Sequence, residues 1–434
     1  MSRPRPVPLP RRGALALGAA APALAALAAC NPNRSAGRDA EAPLRFSWWG
    51  NPERAATTQE VIDLFEERHP GITVSPEPGD IAGYFDRLAT TAAAGDEPDV
   101  ITMGGAYPAE YAARDVLLDL STVSDTLDLT TMDEAARRNG QVGGTPFGVT
   151  TGINALAMVM DPAVIEAAGL EVPDDTSWTW DEFIALCQAI TEATEDGTFG
   201  TGTTLSHDSL DLWARQHGEI LYTEDGALGL TVPTVQSFLE FSKSLVDTGA
   251  GPGADVLVEL TDVGPEQTLI GRGRAAFMLT WSSSLTSLAE ASGADLQLVR
   301  IPGESARPGV WLQSSQLYTI SARTASPENA AAFVDFLVND PDAGRLILTD
   351  RGVPAVAAVR EAILPELSAT AQREVAYIDD LSTLDLQPTW VGPAGSTAIE
   401  EITPRYQSEV LFGSMTPAEA AQGWFDEATA AVAG

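Results

Sequence analysis

Between residues 44 and 103 the apolar positions switch between two periods, and the switches place the first elements. Residues 44–48 carry an extended apolar run. From Val61 the apolar residues Val61, Leu64 and Phe65 fall at helical spacing until His69, Pro70 and Gly71 end the pattern, and Ile72, Thr73 and Val74 read as a strand. A second helical stretch, 84–94, stops at Gly95 and leads through Pro98 into the short apolar strand 99–103. Strand, helix and strand in this order predict a βαβ unit and parallel α/β architecture, with ligands at the carboxyl ends of the strands.

Later helices are marked by their caps. Thr179 to Glu182 spell a T-x-x-E capping box ahead of Phe183, Leu186, Cys187 and Ile190, which share one helical face. Ser326 with Pro327 opens the helix bearing Phe333, Val334 and Leu337, and Thr416 with Pro417 opens the last one. The α/β pattern thus runs to the C-terminus.

The first thirty residues behave differently. Arg3, Arg5, Arg11 and Arg12 precede an almost pure Ala, Leu and Gly run over 13–29, a basic segment followed by an apolar one of roughly 17 residues, short of the about 20 that a membrane span needs. This is an export signal, and Leu27, Ala28, Ala29 and Cys30 resemble the bacterial lipobox, which implies cleavage before Cys30 and diacylglycerol on its sulfur. Residues 1–29 are then the leader and 30–43, made of Asn, Pro, Arg, Ser, Ala, Gly and Asp, the lipidated end and a tether with little to bury. The adjacent Arg11 and Arg12 leave Sec and twin-arginine export both open.

Removing the leader leaves 21 basic against 61 acidic residues, a net charge of −40, which repels nucleic acid and anionic lipid headgroups. With 434 residues, 44% hydrophobic, the chain is long enough for two or three domain-sized cores. Cys187, the only other cysteine, sits on an apolar helical face and reads as a buried inert thiol.

Nine segments in order carry a resemblance: FSWWG over 46–50, VIDLFEERHPGITV over 61–74, LATTAAAGDEPDVI over 88–101, YAARDVLLDLS over 111–121, GTPFGV over 144–149, AGLEVP over 168–173, TWDEF over 179–183, GRGRAAFML over 271–279, and the long run over 326–355 that opens SPENAAAF. Behind a lipobox, this chain resembles the extracellular solute-binding proteins of carbohydrate ABC transporters, family 1. The resemblance implies a two-lobed, type II periplasmic-binding-protein-like α/β fold, each lobe a mostly parallel sheet flanked by helices, with the ligand in a cleft that closes by a hinge. Carried over by segment order, lobe one takes 44–149 plus 314–353 and lobe two 150–313 plus 354–434. The partners implied are a small solute, a sugar or oligosaccharide, and the permease subunits of an importer. The protein would be a monomer on the outer face of the membrane, held there by Cys30 and requiring no cofactor or metal.

Sugar recognition pairs aromatic rings with planar hydrogen-bonding groups. Trp49 at the end of the first strand, with Asn51 and Arg54 in the loop after it, is one candidate group. Trp281, Ser282 and Ser283 follow the strand-like 275–280, where the family presents cleft residues. Trp311 and Gln313 lie on the segment expected to cross between lobes, and Trp390 in a loop that supplies an aromatic platform in the family. Tyr107, Thr151 and Asn154 complete the set, with His207 and Asp208 as loop candidates of the second lobe. Trp180 and Trp424 fall within helices and read as core.

Enzyme signatures are missing. Three histidines, His69, His207 and His217, have no zinc-protease spacing, and no G-x-S-x-G elbow occurs. Gly271, Gly273 and Ala276 satisfy a dinucleotide-like G-x-G-x-x-A without its acidic partner, and read as a turn before a strand. Two other readings stay open: an importer receptor for a polyol phosphate, peptide or polyamine, and a surface glycan-binding lipoprotein without a transporter. Cleft charge separates the former from sugar, since a phosphate calls for Arg54 with Arg272 or Arg351, and a polyamine for several acids with aromatic walls.

Overall fold

A computed structural model describes residues 41–432 apart from 105, 106, 133, 195, 196, 262, 388, 391 and 394, and leaves Cys30, the leader and nearly all of the tether outside the described residues. Its strands are β1 (Leu44–Trp49), β2 (Val74–Gly79), β3 (Val100–Met103), the hairpin pair β4 (Gln141–Val142) and β5 (Thr145–Pro146), β6 (Gly148–Asn154), β7 (Leu156–Met160), β8 (Phe199–Thr201), β9 (Ala275–Trp281), β10 (Gln297–Val299) and β11 (Gln313–Ile320). They form a five-stranded sheet in the order β2-β1-β3-β11-β6 and a four-stranded sheet in the order β10-β7-β9-β8. In each, one strand is reversed: β11 runs antiparallel to β3 and β6, and β7 antiparallel to β9 and β10.

The pleat sorts β1. Leu44, Phe46 and Trp48 are buried in the main core, where Phe46 meets the Phe333 ring edge to face at 5.2 Å, and Trp49 turns to the opposite side. Asn51 caps the helix Pro52–Arg68, its Oδ1 accepting from the Arg54 amide at 2.8 Å with Pro52 at the first turn. That helix buries Thr58, Val61, Ile62 and Phe65. The second strand differs from the sequence expectation: pairing begins only at Val74 and continues through Pro76 and Pro78, which an edge strand tolerates because no second neighbour needs their missing N–H groups.

The capping box at Thr179 forms in both directions, with Glu182 accepting from the Thr179 amide at 2.8 Å. Helices Pro327–Asn339 and Pro417–Val432 start at their anticipated prolines. Cys187 is fully buried, and desolvation pushes its thiol well above the ordinary value. Trp424 is buried with its indole donating to Thr403 Oγ1 at 3.0 Å.

The chain passes between the sheets at Ala155, the single residue between β6 and β7. Ser282 clamps that peptide: its amide donates to the Ala155 carbonyl at 2.8 Å, and its Oγ accepts from the Ala155 amide at 3.3 Å. Beside the crossing, Ile153 and Val353 exchange backbone hydrogen bonds of 2.7 and 3.0 Å. β6 pairs in the first sheet through Asn154. The helix Ala357–Ile363 packs on the helix Pro341–Ile347, Val359 lying against Gly344.

Candidate functional site

Residues distant in sequence converge on one cleft. Gly104 and Asn139, the helix start at His207, Asp208 and Asp211 with Leu221 and Tyr222, the segment Trp311 to Leu317, and Thr389, Trp390, Gly392, Ser396 and Glu400 line a cleft of about 860 Å³ that is open to solvent. Its floor is built by β11. Asn139 spans the sheet-to-sheet seam, donating from Nδ2 to the Leu312 carbonyl at 3.0 Å and accepting the Ser314 amide at 3.1 Å. Gln316 is 7% exposed, and its Oε1 has no partner among the described residues.

One wall comes from the helix His207–Gln216, whose N-cap Ser206 accepts from the Asp208 amide at 3.2 Å. Asp211 is neutralised internally: Arg215 Nε donates to it at 2.9 Å and the Leu221 amide at 2.8 Å. Asp208 has no such cation. Burial raises its carboxyl above the ordinary value, with Asp211 and Glu400 adding to the rise and His207 and the Trp281 indole opposing it. Tyr222 is raised too, mainly by burial and then by the same acids, against a hydrogen bond to the Ser396 carbonyl. The loop carrying Trp390 packs on that phenol: a Cβ on Gly392 would stand 3.0 Å from the Tyr222 ring.

Of the anticipated residues, Trp311, Gln313, Trp390, His207 and Asp208 line this cleft, the last two at a helix start and not in a loop. Trp311 is 3% exposed; its indole donates to Gln313 Oε1 at 2.7 Å and Arg215 lies 4.7 Å from its ring, so it is wall more than platform. Trp390 is half-buried and offers more ring surface. Trp281 sits behind the wall, edge to face with Trp311 at 6.0 Å, where it also holds Asp208. Trp49 backs Gly104 and packs on Tyr84 and Phe85, while Tyr107 stacks flat on Phe85 at 3.8 Å. This aromatic group flanks the cleft on the side of the first sheet.

The remaining residues are engaged elsewhere. Asn51 is a helix cap, and Arg54 pairs with Asp350 at 2.8 Å, tying the first helix to the last crossing. Thr151 donates to the Arg351 carbonyl at 3.2 Å and lines a small apolar space behind the sheet. Asn154 opposes Gln313 across β6 and β11, with Oδ1 buried and unpartnered. Ser282 serves the crossing clamp, and Ser283 is exposed beside it. Sequence reasoning missed Asn139, Asp211, Tyr222, Gln316 and Glu400. No spacing rule links them; only the Ser206 cap, which starts a helix at His207, hints at where two acids would point.

Residues 49–343 match the profile of the bacterial extracellular solute-binding proteins. The chain belongs to that family. The receptor is 24% identical over 338 residues to an uncharacterized lipoprotein of Streptomyces antibioticus, covering 76% of this chain and 73% of that one. It is 23% identical over 222 residues to a putative ABC transporter periplasmic-binding protein of Escherichia coli, covering 48% and 50%. Among solved structures, a periplasmic oligogalacturonide binding protein from Yersinia enterocolitica superimposes with a TM-score of 0.76 at 23% identity, over 90% of this chain and 99% of that one. The two-lobed periplasmic-binding-protein fold and the role of an extracellular solute-binding protein follow. Among the described residues no helix is long and apolar enough to cross a membrane.

Proposed function

We propose that this receptor captures a saccharide by closing its lobes over the cleft, delivers it to an ABC permease, and is held at the outer face of the membrane by lipidated Cys30, acting as a monomer without catalysis. One observation carries the reading: a half-buried indole, Trp390, and a phenol, Tyr222, face the planar amides of Asn139, Gln313 and Gln316 in one cleft. Rings for the apolar faces of a sugar and amides for its hydroxyls are the pairing that carbohydrate binding needs. The oligogalacturonide-binding neighbour and the lipoprotein relative support the same reading. The polyol phosphate alternative lacks support, because Arg54 is bound to Asp350, Arg351 donates to Thr58 Oγ1, and neither lines the cleft.

A thermal-shift screen of the purified protein against saccharides, polyols, peptides, polyamines and glycerol phosphates tests it. A micromolar ligand supplied at millimolar concentration stabilises by about 4 kcal/mol, an easily seen shift. Hits among saccharides are expected. Peptide or phosphate hits with every saccharide silent would sink the reading.

A further inference from the structure

We propose that the captured saccharide carries a protonated amino group, and that Asp208 receives it. The inference rests on the saccharide reading above and narrows it. Two acids stand one turn apart on the same helix. Asp211 is satisfied by Arg215 and a backbone amide. Asp208, with its side chain only 19% exposed, has the neutral indole of Trp281 and the imidazole of His207, 3.2 Å away, but no arginine or lysine. A desolvated carboxylate without a counter-charge is costly, and a ligand cation delivered on closure removes that cost.

The surroundings point the same way. Glu400 adds a second acid at the rim, close enough to raise both Tyr222 on one side of the cleft and Tyr107 on the other. No arginine or lysine is among the residues that line the cleft. Gln316 holds out a buried oxygen with no donor among the described residues, which marks this part of the cleft as a place for a ligand N–H or O–H. Trp390 and Tyr222 provide electron-rich faces for a cation. A hydroxyl could hydrogen-bond Asp208 but would leave its charge uncompensated, and a uronate would face two acids of its own sign. The site therefore selects by repulsion as well as attraction.

The test is calorimetric titration of the purified full chain with three disaccharides of one size and different charge, β1,4-linked diglucosamine, cellobiose and digalacturonate, with spermidine as a sugar-free cation. Close charge pairs in a desolvated interface are coupled by more than about 1.4 kcal/mol, or tenfold, so diglucosamine should bind at least about tenfold tighter than cellobiose and digalacturonate not measurably. Asp208→Asn should abolish the preference, so that diglucosamine and cellobiose bind that variant equally, and Glu400→Gln should reduce it severalfold. Equal binding of cellobiose, any binding of digalacturonate, or a preference that survives Asp208→Asn overturns the proposal while the saccharide reading stands. Spermidine binding with all three sugars silent overturns both. Should Asp208→Asn fail to fold, the wild-type ratio between diglucosamine and cellobiose still decides.

Discussion

Gly152 stands where the two sheets are joined, and adding one methyl there is a severe local perturbation. A Cβ at that position would lie 2.3 Å from the Arg351 carbonyl oxygen and 2.7 Å from the carbonyl carbon and oxygen of Gly352, all backbone atoms that no rotamer change can move. Relief requires β6 to part from the 351–353 segment, which strains or breaks the reciprocal bonds between Ile153 and Val353. Overpacking costs about 1–3 kcal/mol, and two backbone hydrogen bonds add about 0.5–1.5 kcal/mol each. Gly152→Ala should therefore destabilise the protein by about 2–6 kcal/mol, a large part of the roughly 5–15 kcal/mol of a typical domain. The control is Gly143→Ala, at φ +57 with no atom within 4 Å of the added carbon, which should cost only the left-handed backbone penalty of about 1–2 kcal/mol. Urea denaturation of both variants, compared at shared slope, measures the difference. If Gly152→Ala proves no worse than Gly143→Ala, the crossing is not packed as described and the reasoning fails.

Trp390→Ala removes a stacking face worth about 0.5–1.5 kcal/mol beyond area burial, so saccharide affinity by calorimetry should fall roughly two- to tenfold while the melting temperature stays within a few degrees; unchanged affinity would place the ligand elsewhere. Cys30→Ser should move the protein from the membrane fraction to the medium and abolish palmitate labelling, and a wild type that takes no label refutes the anchor. Glu374 is 4% exposed and its carboxyl is raised by burial, against hydrogen bonds from Thr286. A carboxyl raised in the folded state holds its proton to higher pH than in the unfolded chain, so stability falls as pH rises from the unfolded value through the folded one. Glu374→Gln should accordingly gain stability over wild type near neutral pH, and the gain should vanish on acidification below about pH 4; a gain independent of pH would contradict the assignment.

Local rules made the scaffold legible. The alternation in β1, the capping box at Thr179 and the Pro-marked starts at 327 and 417 are each decided by residues within a few positions of one another. Part of the cleft lining was legible: Trp311, Gln313 and Trp390 from their segments, and His207 and Asp208 from the second lobe. Asn51 and Arg54 show why the rest was not: Asn before Pro is the capping signature itself, and the partner of Arg54 lies 296 residues away. Tyr222, Gln316 and Glu400 meet only through the tertiary fold, a relation that no periodicity encodes. Strand β2 was misplaced for a simpler reason, since Pro76 and Pro78 disguise an edge strand as a loop.

Trp390, whose half-buried ring lines the cleft, sits in a connection between the helices Ala369–Leu381 and Thr397–Leu411, and no strand of either sheet takes its register from that connection. Changes there leave the clamp at Ala155 untouched. Descendants of such a receptor are thus free to exchange cargo by rewriting one inter-helix loop, and a laboratory graft of that loop from another receptor is the shortest route to a biosensor of new specificity on this frame.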